Sequence, residues 1–238
     1  MNDSSNLIYE LITPGIGAFA GAFFAFIFLK LSEFLTRVYQ RKVKHYNSLV
    51  LLETQLNEIL GIIYDNISIT SSFKKIISSG KIYFGKLRLV PIDRSHYDNL
   101  LDVTLKNDLF SYNYKLRQLD DDIDNLSGGY TDTKNALLQR NISHEDYLEN
   151  VKFIDDFLTK LEKYLKNIDE QTVELLVKVR LMSKKDLPLG TKILRLFIRE
   201  SGSKLKKSDI DIERKKLLNE IEIIGNQSRK EIDDILGE

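Results

Sequence analysis

An all-α fold is what this sequence predicts: a single N-terminal transmembrane helix followed by a cytoplasmic antiparallel helical bundle or coiled-coil hairpin. Three observations carry the prediction. The stretch from Leu11 to Leu29, LITPGIGAFAGAFFAFIFL, runs nineteen residues without a charge between Glu10 and Lys30. Beyond it, apolar residues recur at alternating spacings of three and four over several long segments, the signature of helices that bury one stripe. Only 3 prolines and 12 glycines punctuate 238 residues, so few turns are forced.

The uncharged stretch has the length a membrane crossing requires, roughly 28 Å at about 1.5 Å per residue. Its mixture of Gly21, Phe23, Phe24, Phe26 and Phe28 suits lipid better than a protein core. A cleaved secretory signal would need a basic leader, and residues 1–10 hold Asp3 and Glu10 with no lysine or arginine. Thr13 before Pro14 reads as the cap and first turn of the helix. Gly17, Gly21 and Ala25 recur every four residues, a small-residue stripe on which two such helices pack closely. Lys30, Arg37, Arg41, Lys42 and Lys44 follow, opposed by Glu33 alone. Basic flanks stay in the cytoplasm, so the N-terminus is expected outside the cell or inner membrane and the bulk of the chain inside. These five cations are placed to touch the inner leaflet, at about 1 kcal/mol each near an anionic surface, although the ordinary positive-inside signal, with no lipid specificity, is the better account of them.

The predicted organisation is an outer tail over 1–10, the membrane helix over 11–30, a juxtamembrane helix over 31–70, a loop with a short extended segment over 71–94, and a helical domain over 95–238. In the juxtamembrane helix Leu31, Leu35, Val38, Leu49, Leu52, Leu56, Ile59 and Ile63 form a seam that Lys42 and His45 interrupt. Serines 71, 72, 78 and 79 with Gly80 then signal a loop, and in Lys81–Val90 the period falls to two, suggesting a short strand or a β-hairpin kinked at Gly85 and stopped by Pro91. The helical period returns from about Ser95 through Leu101, Leu105, Leu109, Tyr112, Leu116, Leu119, Ile123 and Leu126, and Gly128 with Gly129 is the expected reversal. A link over 130–142, with a helical turn around Ala136–Leu138, leads to Ser143 and Asp146, a capping box for a helix of about forty residues along Tyr147, Val151, Ile154, Leu158, Leu161, Leu165, Ile168, Thr172, Leu175, Val179 and Met182. Pro188 and Gly190 end it. A short basic element around Ile193–Ile198 precedes a last helix from near Ser208.

The formal charge is zero, with 35 bases and 35 acids, yet it is divided along the chain. Residues 120–170 hold thirteen acids and six bases, and residues 178–207 ten bases and two acids. The basic segment Lys184, Lys185, Lys192, Arg195, Arg199, Lys204, Lys206 and Lys207 is the strongest candidate for contact with a partner or an anion. Pairing with the acids of 120–124, in the same or a neighbouring subunit, is the first expectation. The anionic membrane surface comes second, and nucleic acid third, because Phe197 alone interleaves the bases.

Asp120, Asp121, Asp122 and Asp124 open like a calcium loop, but Asn125 stands where glycine is needed and Thr131 where glutamate is, so a solvated acidic face is the better reading. His45, His96 and His144 make no helical ligand pair, and cysteine is absent. No nucleophile elbow or phosphate-cradling loop is present. No cofactor, metal ligand or catalytic residue is therefore expected. The expected function is that of a self-associating interaction or scaffold module at a membrane, with a tethered nucleic-acid or effector protein as the alternative and an enzyme behind both.

Overall fold

Residues Asp3–Ser78 form one uninterrupted helix, α1. The computed structural model describes residues 3–78, 87–185 and 205–236, with side chains over 16–76, 87–185 and 205–223. Four further helices follow: the single turn α2 (Ser95–Asp98), α3 (Val103–Leu138), α4 (His144–Lys185) and α5 (Lys207–Leu236). The described residues contain no strand. The chain divides into two units, Met1–Lys44 and His45–Glu238, and α1 contributes to both.

In the first unit the apolar residues face outward. Phe19, Phe23, Phe24, Phe26 and Phe28 are exposed, Phe19 stacks on Phe23 with ring centroids 6.4 Å apart, and Lys30 lies 5.8 Å from the centre of the Phe26 ring. α1 is the one described helix long and apolar enough to cross a membrane, and none of its apolar window is buried by the protein. Its start differs from the expectation. The helix begins at Asp3 and passes through Thr13 and Pro14 rather than opening on them. Proline in a helix interior forfeits a hydrogen bond, a loss that apolar membrane helices tolerate more readily than soluble ones.

The second unit is organised around α4. Along its first half, Tyr147, Ile154, Leu158, Leu161, Leu165, Ile168 and Thr172 are buried at spacings of seven, four and three, a single stripe. From Thr172 to Val179 the pattern changes, because Val173, Leu175, Leu176, Val177 and Val179 are all buried. Only Glu174 of this stretch is exposed, so the helix is enclosed over most of its circumference, and the polar contacts identify the neighbours. Arg180, Asp169 and Glu162 of α4 meet Glu53, Tyr64 and Lys74 of α1. Lys178 and Thr172 meet Asp108 and Tyr112 of α3, while Lys185, Lys184 and Arg180 meet Asp209, Glu213 and Glu220 of α5. In every set one number rises as the other falls, so α1, α3 and α5 all run antiparallel to α4.

The seam of α3 is buried from Leu105 to Leu126 as its spacing requires, and so is the α1 seam from Leu49 to Ile63. Leu101 departs from it: the residue lies ahead of α3 and is exposed, and Leu100 is buried in its place. Asp102 caps the helix, its Oδ1 accepting from the Leu105 N–H at 2.7 Å. His45 departs as well. It is buried, and its Nδ1 accepts from the Leu101 N–H at 3.2 Å, so it joins the core instead of breaking the seam.

Gly128 and Gly129 do not reverse the chain. α3 runs through them to Leu138, because Tyr130 stays in phase with Leu126 and is buried; packing outweighs a helix-interior cost of about 1 kcal/mol per glycine. The reversal falls eleven residues beyond Gly129, on Arg140, at φ 58°. The Arg140 N–H donates to the Leu137 carbonyl and the Asn141 N–H to the Ala136 carbonyl, the pairing of a left-handed helix terminus. Ser143 and Asp146 then form the expected box: the Asp146 N–H donates to Ser143 Oγ at 3.1 Å and the Ser143 N–H to Asp146 Oδ2 at 3.3 Å.

The loop expected from Ser71 is helical to Ser78. Of the short extended segment, 81–86 with Gly85 lies outside the described residues. In 87–89 the period of two holds, with Leu87 and Leu89 buried and Arg88 exposed; Ile92 is buried three residues on, and among the described residues no strand pairs with the segment. Helix side chains take the place of a sheet. Asn66 Nδ2 donates to the Arg88 carbonyl at 2.7 Å, Asp120 Oδ1 accepts from the Leu89 N–H at 2.8 Å, and Asn113 both accepts from the Ile92 N–H and donates to its carbonyl. An extended chain needs its backbone groups satisfied, and side-chain amides meet the requirement as well as a second strand does.

Candidate functional site

The last turns of α4 gather cations, a placement that the negative end of a helix dipole favours. Arg180 is the innermost. Its Nε donates to Glu53 Oε1 of α1 at 3.0 Å and its Nη1 to Glu220 Oε2 of α5 at 2.8 Å, with only 17% of the side chain exposed. One turn on, Lys184 reaches Glu213 at 2.5 Å, and Lys185 lies 3.8 Å from Asp209. Glu213 is buried although its partner lysine is exposed, so Lys184 closes over it. Three cations of α4 thus hold three acids of α5, and the apolar residues Ile210, Leu217 and Ile221 pack between them against the core.

Of the predicted basic segment, this strip contains Lys184 and Lys185. Lys206 and Lys207 lie at the entry to α5 and are exposed, while Lys192, Arg195, Arg199 and Lys204 are outside the described residues. The acids that the strip meets belong to α5 rather than to 120–124. Asp121, Asp122 and Asp124 are exposed, and Asp120 is occupied by the Leu89 N–H. The distance is a matter of register: residue 120 of α3 lies well along the hairpin from α4's last turns, where Lys178 faces Asp108. In the first unit, Gly17, Gly21 and Ala25 are exposed, and a Cβ added at either glycine would meet nothing within 4 Å. Lys30 and Arg37 share Glu33 at 3.1 and 3.9 Å. Arg41 and Lys44 are exposed, and Lys42 is half-buried.

A second polar group sits where α1, α3 and α4 converge. The Tyr112 hydroxyl and Thr172 Oγ1 lie 2.6 Å apart, and Thr172 donates onward to the Ile168 carbonyl at 2.7 Å. Asp169 stands beside them, hydrogen-bonded to Tyr64, with its Oδ1 buried and unpartnered. Burial raises its carboxyl above the ordinary carboxylate range, and neighbouring Glu170 adds to the rise. Burial also pushes up the Tyr64 and Tyr112 hydroxyls, with Asp169 contributing to both. Lys178 shows the opposite balance: burial pulls its ammonium down, but Asp108 and Glu174 outweigh that and hold it above its usual value.

Sequence reasoning missed Arg180, Glu53 and Asp169. Asp169 sits beside the seam position Ile168, and an acid adjacent to a seam was the available signal. Arg180 follows the seam residue Val179 and is distinguished only by what three helices place around it. Among the described residues no group of three or more His, Cys, Asp or Glu side chains is arranged to hold a metal ion. Comparison with known proteins finds no family model, no characterised protein and no solved structure that matches this chain.

Proposed function

We propose that this chain is a single-pass membrane protein whose cytoplasmic helical domain is a self-associating interaction or scaffold module. The observation that carries the reading is the contrast within α1. Its apolar part is exposed, Phe19 and Phe28 to more than two thirds, whereas Leu49, Leu52, Leu56 and Ile63 are wholly buried in helix packing. Large phenylalanines left outward on an uncharged helix need a lipid or protein environment. The flanking cations Lys30, Arg37, Arg41, Lys42 and Lys44 orient the helix with its N-terminus outside and the bundle in the cytoplasm of a cell with this protein in its plasma or inner membrane.

Cysteine introduced into this cysteine-free chain tests both anchoring and orientation. Alkaline carbonate should leave the protein in the membrane pellet. A cysteine at Ser4 should react with an impermeant thiol reagent added outside intact cells, and one at Ser208 should react only after lysis. Release by carbonate would remove the membrane reading, and labelling at Ser208 in intact cells would invert the orientation.

A further inference from the structure

Among the described residues, the ion pairs between α4 and α5 are segregated by helix. Arg180, Lys184 and Lys185 on α4 are all cations, and Glu220, Glu213 and Asp209 on α5 are all acids, meeting in antiparallel order. Two α4 strips would repel one another, as would two α5 faces, so the charges favour α4 with α5 over like pairs. They do not specify whose α5.

The connections differ sharply in reach. α3 and α4 are joined by five residues, 139–143, which commits that hairpin to one chain. Between Lys185 and Leu205 lie nineteen residues, 186–204, with a maximal span of roughly 60 Å. An α5 docked on a neighbouring copy would make the same ion pairs and bury the same Ile210, Leu217 and Ile221 as it does on its own α4. Exchange of identical elements therefore costs little in contacts, and copies held in one membrane face each other at high effective concentration.

We propose that α5 is an exchangeable clasp, and that in the self-associated protein the acidic face Asp209, Glu213 and Glu220 of one copy docks on Arg180, Lys184 and Lys185 of a second copy. The inference rests on the self-association proposed above and supplies its surface. Glu213 is the central contact, since it is the buried carboxylate of the strip.

Charge reversal in the full-length, detergent-solubilised protein tests this. One tagged variant carries Lys184→Glu with Lys185→Glu, and a differently tagged variant carries Asp209→Lys with Glu213→Lys. Each mispairs within itself, but two copies of opposite type restore every pair by exchanging clasps. Co-expressed, they should co-purify at least about fivefold more than either type with itself, the factor that about 1 kcal/mol of regained ion pairing supplies. A chain carrying all four reversals regains its own pairing and serves as the folding control, which should match wild type in circular dichroism. Equal recovery of mixed and like pairs overturns the clasp. If wild-type copies with different tags still co-purify in that case, self-association stands through another surface; if they do not, both readings fall.

Discussion

Asp169 is the residue at which the bundle works against its own stability. A carboxylate half-buried between helices, with one oxygen unpartnered, favours the protonated form, so its pKa in the fold is raised above the unfolded value. The sign follows from that direction. The fold binds the proton more tightly than the unfolded chain, so the stabilisation is complete below the ordinary carboxylate pKa and is lost as pH rises through the higher folded value. Asp169→Asn keeps an acceptor for Tyr64 without the charge. It should raise stability at neutral pH by about 1 kcal/mol and flatten the wild-type decline between acidic and neutral pH, as read from urea midpoints of the second unit. An unchanged slope would mean that Asp169 is ionised in the fold at little cost.

Two elements test how the α3–α4 hairpin is built. Leu116 is wholly buried in the seam and Asp121 is exposed outside it. Leu116→Asp places an unpaired charge between helices and should cost several kcal/mol, at least about 3, whereas Asp121→Ala should stay within about 0.5 kcal/mol. Equal effects in thermal melts of the unit from His45 onward would mean that the seam is wrongly phased. The turn offers the opposite kind of change. Arg140 holds a left-handed conformation, φ 58°, at a position glycine occupies without strain. Arg140→Gly should stabilise the same unit by about 0.5–1 kcal/mol; a loss of stability would show that the arginine side chain contributes more than its backbone costs.

In the second unit Arg180 ties three helices, holding Glu53 of α1 and Glu220 of α5 from α4. Removing a cation from such a site leaves a half-buried acid unpaired. Arg180→Ala should therefore cost about 3 kcal/mol, while Arg180→Met, which keeps the packing of the stem, should recover only part of the loss. The surface bridge Lys166–Glu162, whose lysine is largely exposed, provides the comparison: Lys166→Ala should cost less than about 0.5 kcal/mol. Similar midpoint shifts for Arg180→Ala and Lys166→Ala would show that the three-helix junction is held by apolar packing alone.

How much was legible in the residues depends on the range of the force involved. Periodicity reports which side of a helix is buried, and the seams Leu105–Leu126 and Tyr147–Ile168, the capping box at Ser143 and the alternation Leu87, Arg88, Leu89 were all readable, because each arises from residues a few positions apart. The stop of α3 was not readable. Gly128 and Gly129 are the local signal for a turn, and the packing of Tyr130 beyond them overrode it. The same holds for the segment ending in Leu87–Val90, whose alternation suggested a short strand or hairpin, while the hydrogen-bond partners of 88–92, Asn66, Asn113 and Asp120, came from two helices remote in sequence. By itself, the sequence determined an uncharged helix followed by long helices with one apolar stripe each. Only the tertiary structure decided that α4 is the central one, enclosed over most of its circumference in 172–179 and paired in charge with α1, α3 and α5, because enclosure and charge pairing depend on which faces meet, and no single helix carries that information.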